Sequence, residues 1–513
     1  MEGFLHTMAA NNLFLLIIHA ASFLAAAALF IFMIPAVLRA GNRPKLILVF
    51  LLAAITAYGM WLRFDHAPQR FKVYYVEYEI YNLSRMIAGD NDFSICAGGT
   101  LEKCEDKQPP VFATGFPFLG AAAMKMTGSD SPHTLFTLNA VLGVICILAV
   151  FLMAMAATGN ARAALFASFA ASILPLNVIL SGNATTENID LLFLCVALTF
   201  LFLLLRNKNI LSALGLFAAM VFSILIEPRN VYTAAFILII LLAYRPGGKK
   251  GIAAALGGAA LLAGLLMLLP PVYRSVFVSP PNDFFNVLKT NILFLMSDIF
   301  LPSLILAPLF LAPIFLGRLC GFSRPLFFFP FVLIIVLSLF HISLPQGDFP
   351  RHILPATVPL AIFFGVAADW VLGLKKNAPL RNGAVAICLM VLVISSFNVS
   401  LVTLRDFMEE QDDFISATLQ KAAGECSVFS PNSSIGMTYT KNPSYEIEKL
   451  LDDAFLRKHK ECKVVLFEMA CVSDMKEKCG EVYKKFNPRV LYSKKIFDYY
   501  AAIISRIPAD GNK

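Results

Sequence analysis

The sequence predicts a mainly α-helical, polytopic transmembrane bundle followed by a small C-terminal α/β domain. Of the 513 residues, 58% are hydrophobic and 15% are charged, and the mean hydropathy is +0.72. Soluble globular proteins have a far more polar composition. Several apolar stretches exceed the roughly 18 residues that suggest a membrane-spanning helix. From residue 404 the chain is charged and contains no such stretch, so we expect a membrane domain over 1–403 and a second domain over 404–513.

Short clusters of basic residues punctuate the membrane part of the chain. These clusters fall in every second gap between the apolar stretches, and by the positive-inside rule these gaps face the cytoplasm. The other gaps hold most of the carboxylates, so we expect the chemistry on the outer face. The net charge of +8 is scattered over many loops rather than gathered in a patch, which argues against nucleic-acid binding. The basic clusters are Arg39/Arg43/Lys45, Arg162, Arg206/Lys208, Arg245/Lys249/Lys250, Arg318/Arg324 and Lys375/Lys376/Arg381.

Helices of about 20 residues account for about twelve predicted spans. An even number returns the chain to its starting side, so the N-terminus and the tail both face outward. The opening segment MEGFLHTMAANN lacks Lys and Arg, which favours a retained anchor over a cleaved signal peptide. The predicted spans are 12–39, 45–63, 134–157, 161–180, 189–206, 209–226, 230–245, 250–270, 290–316, 325–343, 353–373 and 382–403.

The tail alternates helical and strand-like runs. EEQDDFISATLQKAAG, SYEIEKLLDDAFLRKH and SDMKEKCGEVYKKF predict helices, whereas CSVFS, KVVLFEMA and FDYYAAIISRI predict strands. We expect a small α/β domain on the outer face that caps or supports the membrane site.

Six of the ten cysteines fall in segments predicted to face outward, where disulfides form. Cys96 and Cys104 would close a short loop, while the pairing in the tail is open and free thiols are the alternative. A zinc site is less favoured, because the tail histidine His459 has no Cys-x-x-Cys pair to complete it. The six disulfide candidates are Cys96, Cys104, Cys426, Cys462, Cys471 and Cys479.

The longest predicted outer loop, residues 64–111, follows the second span. Residues 74–88 show the period of an amphipathic helix, which a glycine stops. Glu77 and Glu79 fall in its first turns, where the helix dipole stabilises carboxylates. These two acids are therefore either functional or only part of the helix start.

The order of features in this loop resembles the GT-C membrane glycosyltransferases. An acid on an outer helix soon after a span, a helix ending in Gly, the Lys-x-Pro-Pro segment KQPP and the stretch GFPFLGAAAMKMTG follow one another as in that family. The resemblance continues through a two-span hairpin to the outer turn SGNATTENID and returns in DFPRHILPATVPLAI. It covers about residues 60–373 and is closest to the protein O-mannosyltransferases and lipid A aminoarabinose transferases. The order and sidedness of the motifs carry it, since none is specific alone.

The resemblance implies an enzyme that takes a sugar from a polyprenyl-phosphate donor and passes it to an acceptor on the outer side. A carboxylate must then deprotonate or orient the acceptor hydroxyl. The family's acid, usually in an Asp-Glu pair, corresponds here to Glu77-Tyr78-Glu79, so Glu77 is the first candidate for the base. Asp65, at the membrane exit, and Glu79 are the alternatives.

Glu187 matches the second acidic position of the family, at the outer end of a hairpin. An acid where a span begins is costly unless it is solvated, paired or functional. Asp190 follows by one helical turn, so both carboxylates could face one site and bind a divalent ion, Mg²⁺ or Mn²⁺, with the first-loop acid. A solvated turn with two unremarkable acids is the alternative.

Arg351 is the first candidate for the donor phosphate, because a guanidinium matches phosphate oxygens and stays charged. It belongs to the segment that resembles the family's Arg-(Tyr/His)-x-x-Pro, with His352 beside it. An interfacial, snorkelling Arg is the alternative. Arg229 is a second candidate, although it could simply pair with Glu227. Lys107 fits Lys-x-Pro-Pro and could contact donor or acceptor.

Two other function classes are less favoured. A polysaccharide polymerase or O-antigen ligase would share the donor type, but it usually carries its key residues in a large late loop. A transporter should show internal repeats or charged residues near the middle of spans. We therefore expect a glycosyltransferase of a prokaryotic inner membrane, with the lipid bilayer, a polyprenyl-phosphate sugar and an acceptor as partners. The sequence does not identify the sugar or the acceptor.

Overall fold

The structure, a computed structural model, describes fifteen stretches of the chain. They are residues 12–39, 46–66, 69, 71, 74–110, 113–244, 248–269, 289, 330–332, 334–335, 354–374, 378–399, 406–472, 475–497 and 500–507. The predicted span 290–316 lies outside them, as does most of 325–343. The chain divides into two compact units, which are described separately. Unit 1 comprises 1–69, 112–116 and 136–402, and unit 2 comprises 70–111, 117–135 and 403–513.

The described chain is mainly helical, with its strands in unit 2. The helices are α1 (Asn12–Arg39), α2 (Leu46–Trp61), α3 (Tyr74–Asp90), α4 (Gly115–Thr127), α5 (Pro132–Thr158), α6 (Ala161–Ile173), α7 (Pro175–Ile179), α8 (Glu187–Asn207), α9 (Ile210–Ile226), α10 (Asn230–Tyr244), α11 (Lys249–Leu268), α12 (Leu354–Gly373), α13 (Ala378–Val399), α14 (Asp406–Ala423), α15 (Ser433–Tyr439), α16 (Asp453–Lys458) and α17 (Lys476–Phe486). A π-helical turn, Leu62–His66, continues α2, and 3₁₀ turns cover Leu180–Gly182, Ile447–Leu451 and Met469–Val472.

Many predicted spans of unit 1 coincide with helices. In the described chain five helices are long and apolar enough to cross a membrane: α1, α2 with its π-turn, α5, α8 and α12. A sixth candidate is the bent pair formed by α6 with the segment 175–182, whose axes differ by 59°. Shorter apolar helices occur in α9, α10 and α13. The chain is thus multi-pass, while the count of about twelve spans stays a prediction.

Close helix packing in unit 1 depends on small residues. A Cβ on Gly365 of α12 would lie 2.2 Å from the carbonyl oxygen of Ala163 on α6. A Cβ on Gly215 of α9 would lie 2.4 Å from the ring of Phe200 on α8. Both glycines therefore let neighbouring helices approach more closely than a side chain would allow.

Polar contacts join the ends of several unit 1 helices. At one end, Arg162 Nε lies 2.9 Å from Asp369 Oδ1, and Arg206 donates to the carbonyl of Ala157 at 2.8 Å. These contacts join three turns that the sequence assigns to the cytoplasm. The turns assigned to the outer side form a separate set of contacts, described below with the candidate site.

Unit 2 is built on one seven-stranded sheet with the order β2-β1-β4-β3-β5-β7-β6. The strands are β1 (Ile95–Gly99), β2 (Cys104–Gln108), β3 (Ser427–Ser430), β4 (Ser444–Glu446), β5 (Lys463–Phe467), β6 (Arg489–Phe497) and β7 (Tyr500–Ile507). β3 is parallel to β4 and β5, and the other pairs are antiparallel. Two strands, β1 and β2, come from the loop 64–111, and β1 pairs with β4 of the tail at Gly98 and Tyr445. The tail and this loop therefore share one fold.

The structure corrects one predicted element of the tail. The sequence predicts a single helix from Ser444 to His459, but the chain forms β4, a 3₁₀ turn and the short α16 there. Tyr445 and Ile447 are both buried, at the spacing of a strand face, and Tyr445 stacks on Phe429 of β3 at 5.5 Å. Sheet pairing overrides the helical pattern at this position. α15 and β6 were also not predicted.

All six cysteines of unit 2 lie in disulfides. The pairs are Cys96–Cys104, Cys426–Cys462 and Cys471–Cys479. In the described part of unit 1, by contrast, Cys146, Cys195 and Cys388 are free thiols. The oxidised and reduced cysteines therefore separate by unit, which is what an oxidising environment around unit 2 would produce.

Candidate functional site

Glu77 lies in the packed interior of unit 2. Its side chain is fully buried on α3, in the region of two phenols that converge on Asp412. Tyr78 donates a hydrogen bond of 2.6 Å to Asp412 Oδ1, and Tyr439 of α15 donates to the same oxygen. Burial raises the pKa of Tyr439 well above its ordinary value, with Asp412 and Glu77 adding to the effect. Glu77 is therefore a buried acid whose charge acts on the phenol of Tyr439.

Glu79, on the same helix, fastens α3 to α15. Its Oε1 accepts a hydrogen bond of 2.5 Å from Asn432, the residue that caps α15. Burial raises the pKa of Glu79 to about 7, against a lowering by the Asn432 hydrogen bond. Asn82, one turn further on, donates to the carbonyl of Ser434 at 2.8 Å.

Asp65 occupies a different setting in unit 1. It lies in the π-helical turn that continues α2, and its side chain is exposed. This turn contacts the 3₁₀ turn Leu180–Gly182, which precedes α8. Asp65 is therefore at the same end of unit 1 as the acids that open α8. π-turns inside helices are common at functional positions, because they re-aim a side chain.

Glu187 and Asp190 lie in the first turn of α8, where the helix dipole stabilises negative charge. Glu187 is buried and Asp190 is partly buried. Asn230, at the start of α10, donates to Asp190 Oδ1 at 2.5 Å and to Ser223 Oγ at 2.7 Å. The carboxylate of Asp190 is thereby held between the ends of three helices.

Arg229 belongs to the same group of contacts. Its Nε lies 3.4 Å from Glu227 Oε1, and its side chain remains 37% exposed. It directly precedes Asn230, so unit 1 brings together Asp190, Glu227 and a partly exposed guanidinium. In the described stretches of the chain, however, no three His, Cys, Asp or Glu side chains are grouped as metal ligands. A divalent metal at Glu187 and Asp190 therefore stays a prediction, and no step below depends on one.

Lys107 lies on β2 of unit 2 and forms an ion pair with Asp92. Its Nζ lies 2.6 Å from Asp92 Oδ2. The hydrogen bond to Asp92 raises the pKa of Lys107, and the charge of Asp92 adds to it. Burial raises the pKa of Asp92, but hydrogen bonds from Lys107 and Ser94 outweigh it and leave that pKa below its ordinary value. Contact of Lys107 with a donor phosphate would require exchange of this carboxylate.

The remaining two candidates, Arg351 and His352, lie outside the described residues. Their roles stay predictions that rest on the family resemblance. The described helix α12 begins three positions after Arg351.

An open cleft of about 530 Å³ lies within unit 2, between the ends of α3 and α4 and the turn joining β1 to β2. Arg85 is central to it, with its guanidinium 3.2 Å from Asp130 and 4.0 Å from Glu102. Lys125 and Asp90 also line it. None of the predicted site residues does.

Sequence reasoning missed a set of buried polar residues in unit 1. They are Arg63, Asn139, Asn177, Ser181, Asn188 and Thr357, each at most 2% exposed. The available signal was an ionisable or amide side chain inside an apolar stretch, which is costly in a membrane and therefore informative. Arg63, two positions before Asp65, is the clearest case.

Comparisons with known proteins agree with this architecture. Residues 107–273 match the family described as dolichyl-phosphate-mannose-protein mannosyltransferase. This segment contains Glu187, Asp190 and Arg229. No curated protein matches the chain in sequence.

Solved structures match nearly the whole chain. ArnT from Cupriavidus metallidurans, bound to undecaprenyl phosphate, has a TM-score of 0.58 and 14% identity over 91% of this chain and 99% of that one. The chain shares its fold with ArnT. The Archaeoglobus fulgidus oligosaccharyltransferase tethered with an acceptor peptide gives a TM-score of 0.52, 12% identity and coverage of 91% and 76%. A structure of the same organism's oligosaccharyltransferase AglB, in complex with an inhibitory peptide and a dolichol-phosphate, has a TM-score of 0.51 and 12% identity. The match covers 91% of this chain and 77% of that one.

These findings confirm the resemblance to GT-C glycosyltransferases that the sequence predicts. The family match also agrees with the prediction from the sequence that the chain is a glycosyltransferase.

Proposed function

We propose that this chain is an integral membrane glycosyltransferase that transfers a sugar from a polyprenyl-phosphate donor to an acceptor at the outer face of the membrane. The observation that carries the proposal is a GT-C fold over nine-tenths of the chain, shared with a structure that binds undecaprenyl phosphate. The match of residues 107–273 to a dolichyl-phosphate-mannose mannosyltransferase family supports the same class of donor.

Asp65 is the residue we favour as the base. Glu77, the first candidate from the sequence, is fully buried in unit 2 with a tyrosine–carboxylate cluster nearby. Glu79 is bound to Asn432. Asp65, by contrast, is exposed beside a turn that leads to Glu187 and Asp190, and a base must reach the hydroxyl that it deprotonates.

The proposed reaction is a displacement at the anomeric carbon of the donor sugar. Asp65 accepts the proton of the acceptor hydroxyl while the oxygen of that hydroxyl bonds to the anomeric carbon. The bond between this carbon and the phosphate oxygen breaks, and polyprenyl phosphate leaves with the electron pair. Arg229 and Arg351 are proposed to stabilise the negative charge on the phosphate, because charge-assisted hydrogen bonds are strongest where charge develops.

Asp190 and Glu187 are proposed to orient the acceptor. Both lie in the first turn of α8, and Asn230 fixes the carboxylate of Asp190. In that position they would accept hydrogen bonds from hydroxyl or amine groups of a bound acceptor.

The most direct test of the proposal is to identify the sugar donor that the protein consumes. Membranes containing the protein should consume one of a panel of radiolabelled polyprenyl-phosphate sugars and release polyprenyl phosphate, whereas Asp65→Asn membranes should not. Consumption of none of them, by protein that is folded, would overturn the proposal. A ladder of polymer lengths as product would indicate a polymerase instead.

The outer location has its own test. A reporter that is active only in the cytoplasm should be active when fused at Gly248, in a predicted inner loop, and silent when fused after Lys107 or at Lys513. An active reporter at Lys513 would contradict the even number of spans and the outer placement of unit 2.

A further inference from the structure

The side chain of Arg63 is buried in unit 1, although it carries a permanent charge. It is 1% exposed and lies on the π-turn, two positions before the exposed Asp65. A charged residue inside a membrane bundle is costly unless other groups compensate it, so such residues have a role by default. No role in the mechanism above is assigned to it.

Backbone carbonyls at the ends of two helices bind this guanidinium. One terminal nitrogen donates to Gly59 O of α2 at 3.0 Å and to Ser172 O of α6 at 2.9 Å, and the other lies 3.5 Å from Ala171 O. The C-terminal end of a helix carries partial negative charge, so each helix contributes to compensating the cation. Arg63 therefore fastens the end of α2 to the end of α6.

A proline makes one of these carbonyls available. In a continuous helix the amide of residue 175 would bond Ala171 O, but Pro175 has no N–H. The helix bends by 59° at this point. Asn177 Nδ2 instead donates a hydrogen bond of 3.1 Å to Ala171 O, the same oxygen that the Arg63 guanidinium approaches. Arg63 and Asn177 are thus joined through a single oxygen atom.

From Asn177 the hydrogen bonds continue to the start of α8. The carbonyl of Asn177 accepts from Ser181 Oγ at 2.6 Å, and Asn188 Nδ2 lies 3.3 Å from that hydroxyl. Asn188 directly follows Glu187. Asn139 of α5 holds the intervening turn by donating to Leu180 O at 2.9 Å. An unbroken set of buried hydrogen bonds therefore connects the turn bearing Asp65 with the turn bearing Glu187 and Asp190.

We propose that Arg63 is a positioning residue for the transfer reaction, which holds the π-turn so that the Asp65 carboxylate meets the acceptor held near Glu187 and Asp190. This inference rests on the proposed function. Arg63 does not touch substrate. It acts through the backbone of the π-turn, and its multiple donors suit the role better than the single ammonium of Lys.

Gly143 of α5 provides a mild test. A Cβ at this position would lie 2.6 Å from Ser181 Oγ, 2.9 Å from Arg63 Nε and 3.1 Å from Arg63 Cδ. These atoms all belong to side chains, so Gly143→Ala should displace Arg63 without moving the helices apart. Gly264→Ala, on α11 with nothing within 4 Å of the new methyl, is the matched control.

For Gly143→Ala we expect kcat to fall by about 10- to 100-fold, as misplacement of a catalytic group by about 1 Å does, with KM for the donor unchanged. Gly264→Ala should keep the wild-type kcat. In the Asp65→Asn background Gly143→Ala should have almost no further effect, because effects of residues that act together are not additive. Arg63→Lys, which offers fewer donors, should show the same pattern.

A purely structural role for Arg63 would give the opposite result. Gly143→Ala would then lower the fraction of folded protein, measured by donor binding. Its effect on the transfer rate would multiply with the effect of Asp65→Asn. That outcome, or an unchanged kcat in both Gly143→Ala and Arg63→Lys, overturns the inference while the wild-type enzyme still transfers sugar. A wild-type enzyme that transfers sugar from no donor overturns the proposed function, and the inference with it.

Discussion

Replacement of Glu79 by Gln should stabilise the protein at alkaline pH and have little effect at acid pH. The pKa of Glu79 is raised from 4.5 to about 7, chiefly by burial, with the hydrogen bond from Asn432 opposing and the charge of Glu446 adding to it. A glutamine has no charge to bury and can still accept the hydrogen bond from Asn432 through its amide oxygen.

The sign follows from proton binding in the two states. The folded protein holds the Glu79 proton more tightly than the unfolded chain, so ionisation costs stability between pH 4.5 and about 7 and by a constant amount above that. The shift corresponds to an upper limit of about 3 kcal/mol. Because the side chain keeps partial solvent contact, we expect Glu79→Gln to gain about 1–2 kcal/mol at alkaline pH.

The measurement is the thermal unfolding midpoint of wild type and Glu79→Gln in detergent, at several values from about pH 5 to about pH 8. The difference between the two should grow with pH and then level off. Glu425→Gln, an exposed acid of the same unit, is the control and should give no pH-dependent difference. A Glu79→Gln difference that is flat, or that grows as the pH falls, would refute the burial argument.

Two further predictions concern packing and oxidation. Gly365→Ala should lower the free energy of unfolding by about 1–3 kcal/mol, because the new methyl group would lie 2.2 and 2.7 Å from backbone atoms of α6. Gly383→Ala, whose methyl group has nothing within 4 Å, is the control and should leave stability unchanged. Equal thermal unfolding midpoints for the two variants would contradict the packing of α12 on α6. Cys96 and Cys104 are bonded, so a thiol reagent applied to native protein should modify neither until reductant is added, and immediate labelling would disprove the bond.

Many helices of unit 1 could be predicted because the physical constraint is local. Apolar stretches of spanning length end at charged or turn residues, and α1, α8 and α12 begin and end within about two residues of the predicted spans. The assignment of loops to two sides stays a prediction from composition. The bend at Pro175 could have been anticipated, since a proline removes a helical hydrogen bond.

The sheet of unit 2 could not be predicted, because its pairing joins distant parts of the chain. β1 lies in the loop 64–111 and pairs with β4, more than 300 residues later. The environment of Glu77 has the same origin. The sequence shows an amphipathic α3 with an acid in its first turn, but not that Tyr439, on α15 of the tail, feels the charge of that acid. Burial by a remote segment leaves no local pattern.

The sequence around Arg63 has two interpretations. An arginine near the end of an apolar stretch can be an interfacial anchor, and the sequence alone does not separate that case from a buried one. In the structure Arg63 is buried, and it donates to Gly59 O of α2 and to Ser172 O of α6, which is distant in sequence.

The proposed reaction depends most on Asp65 as the base. The direct test is the rate of sugar transfer at saturating donor for Asp65→Asn and Glu77→Gln, each normalised to the protein that binds donor. Asp65→Asn keeps the size of the side chain but removes the base, so transfer should fall by about 100- to 10,000-fold with donor affinity unchanged. Glu77→Gln should keep the wild-type rate per folded molecule. Full transfer by Asp65→Asn, with loss of transfer in folded Glu77→Gln, would contradict the account.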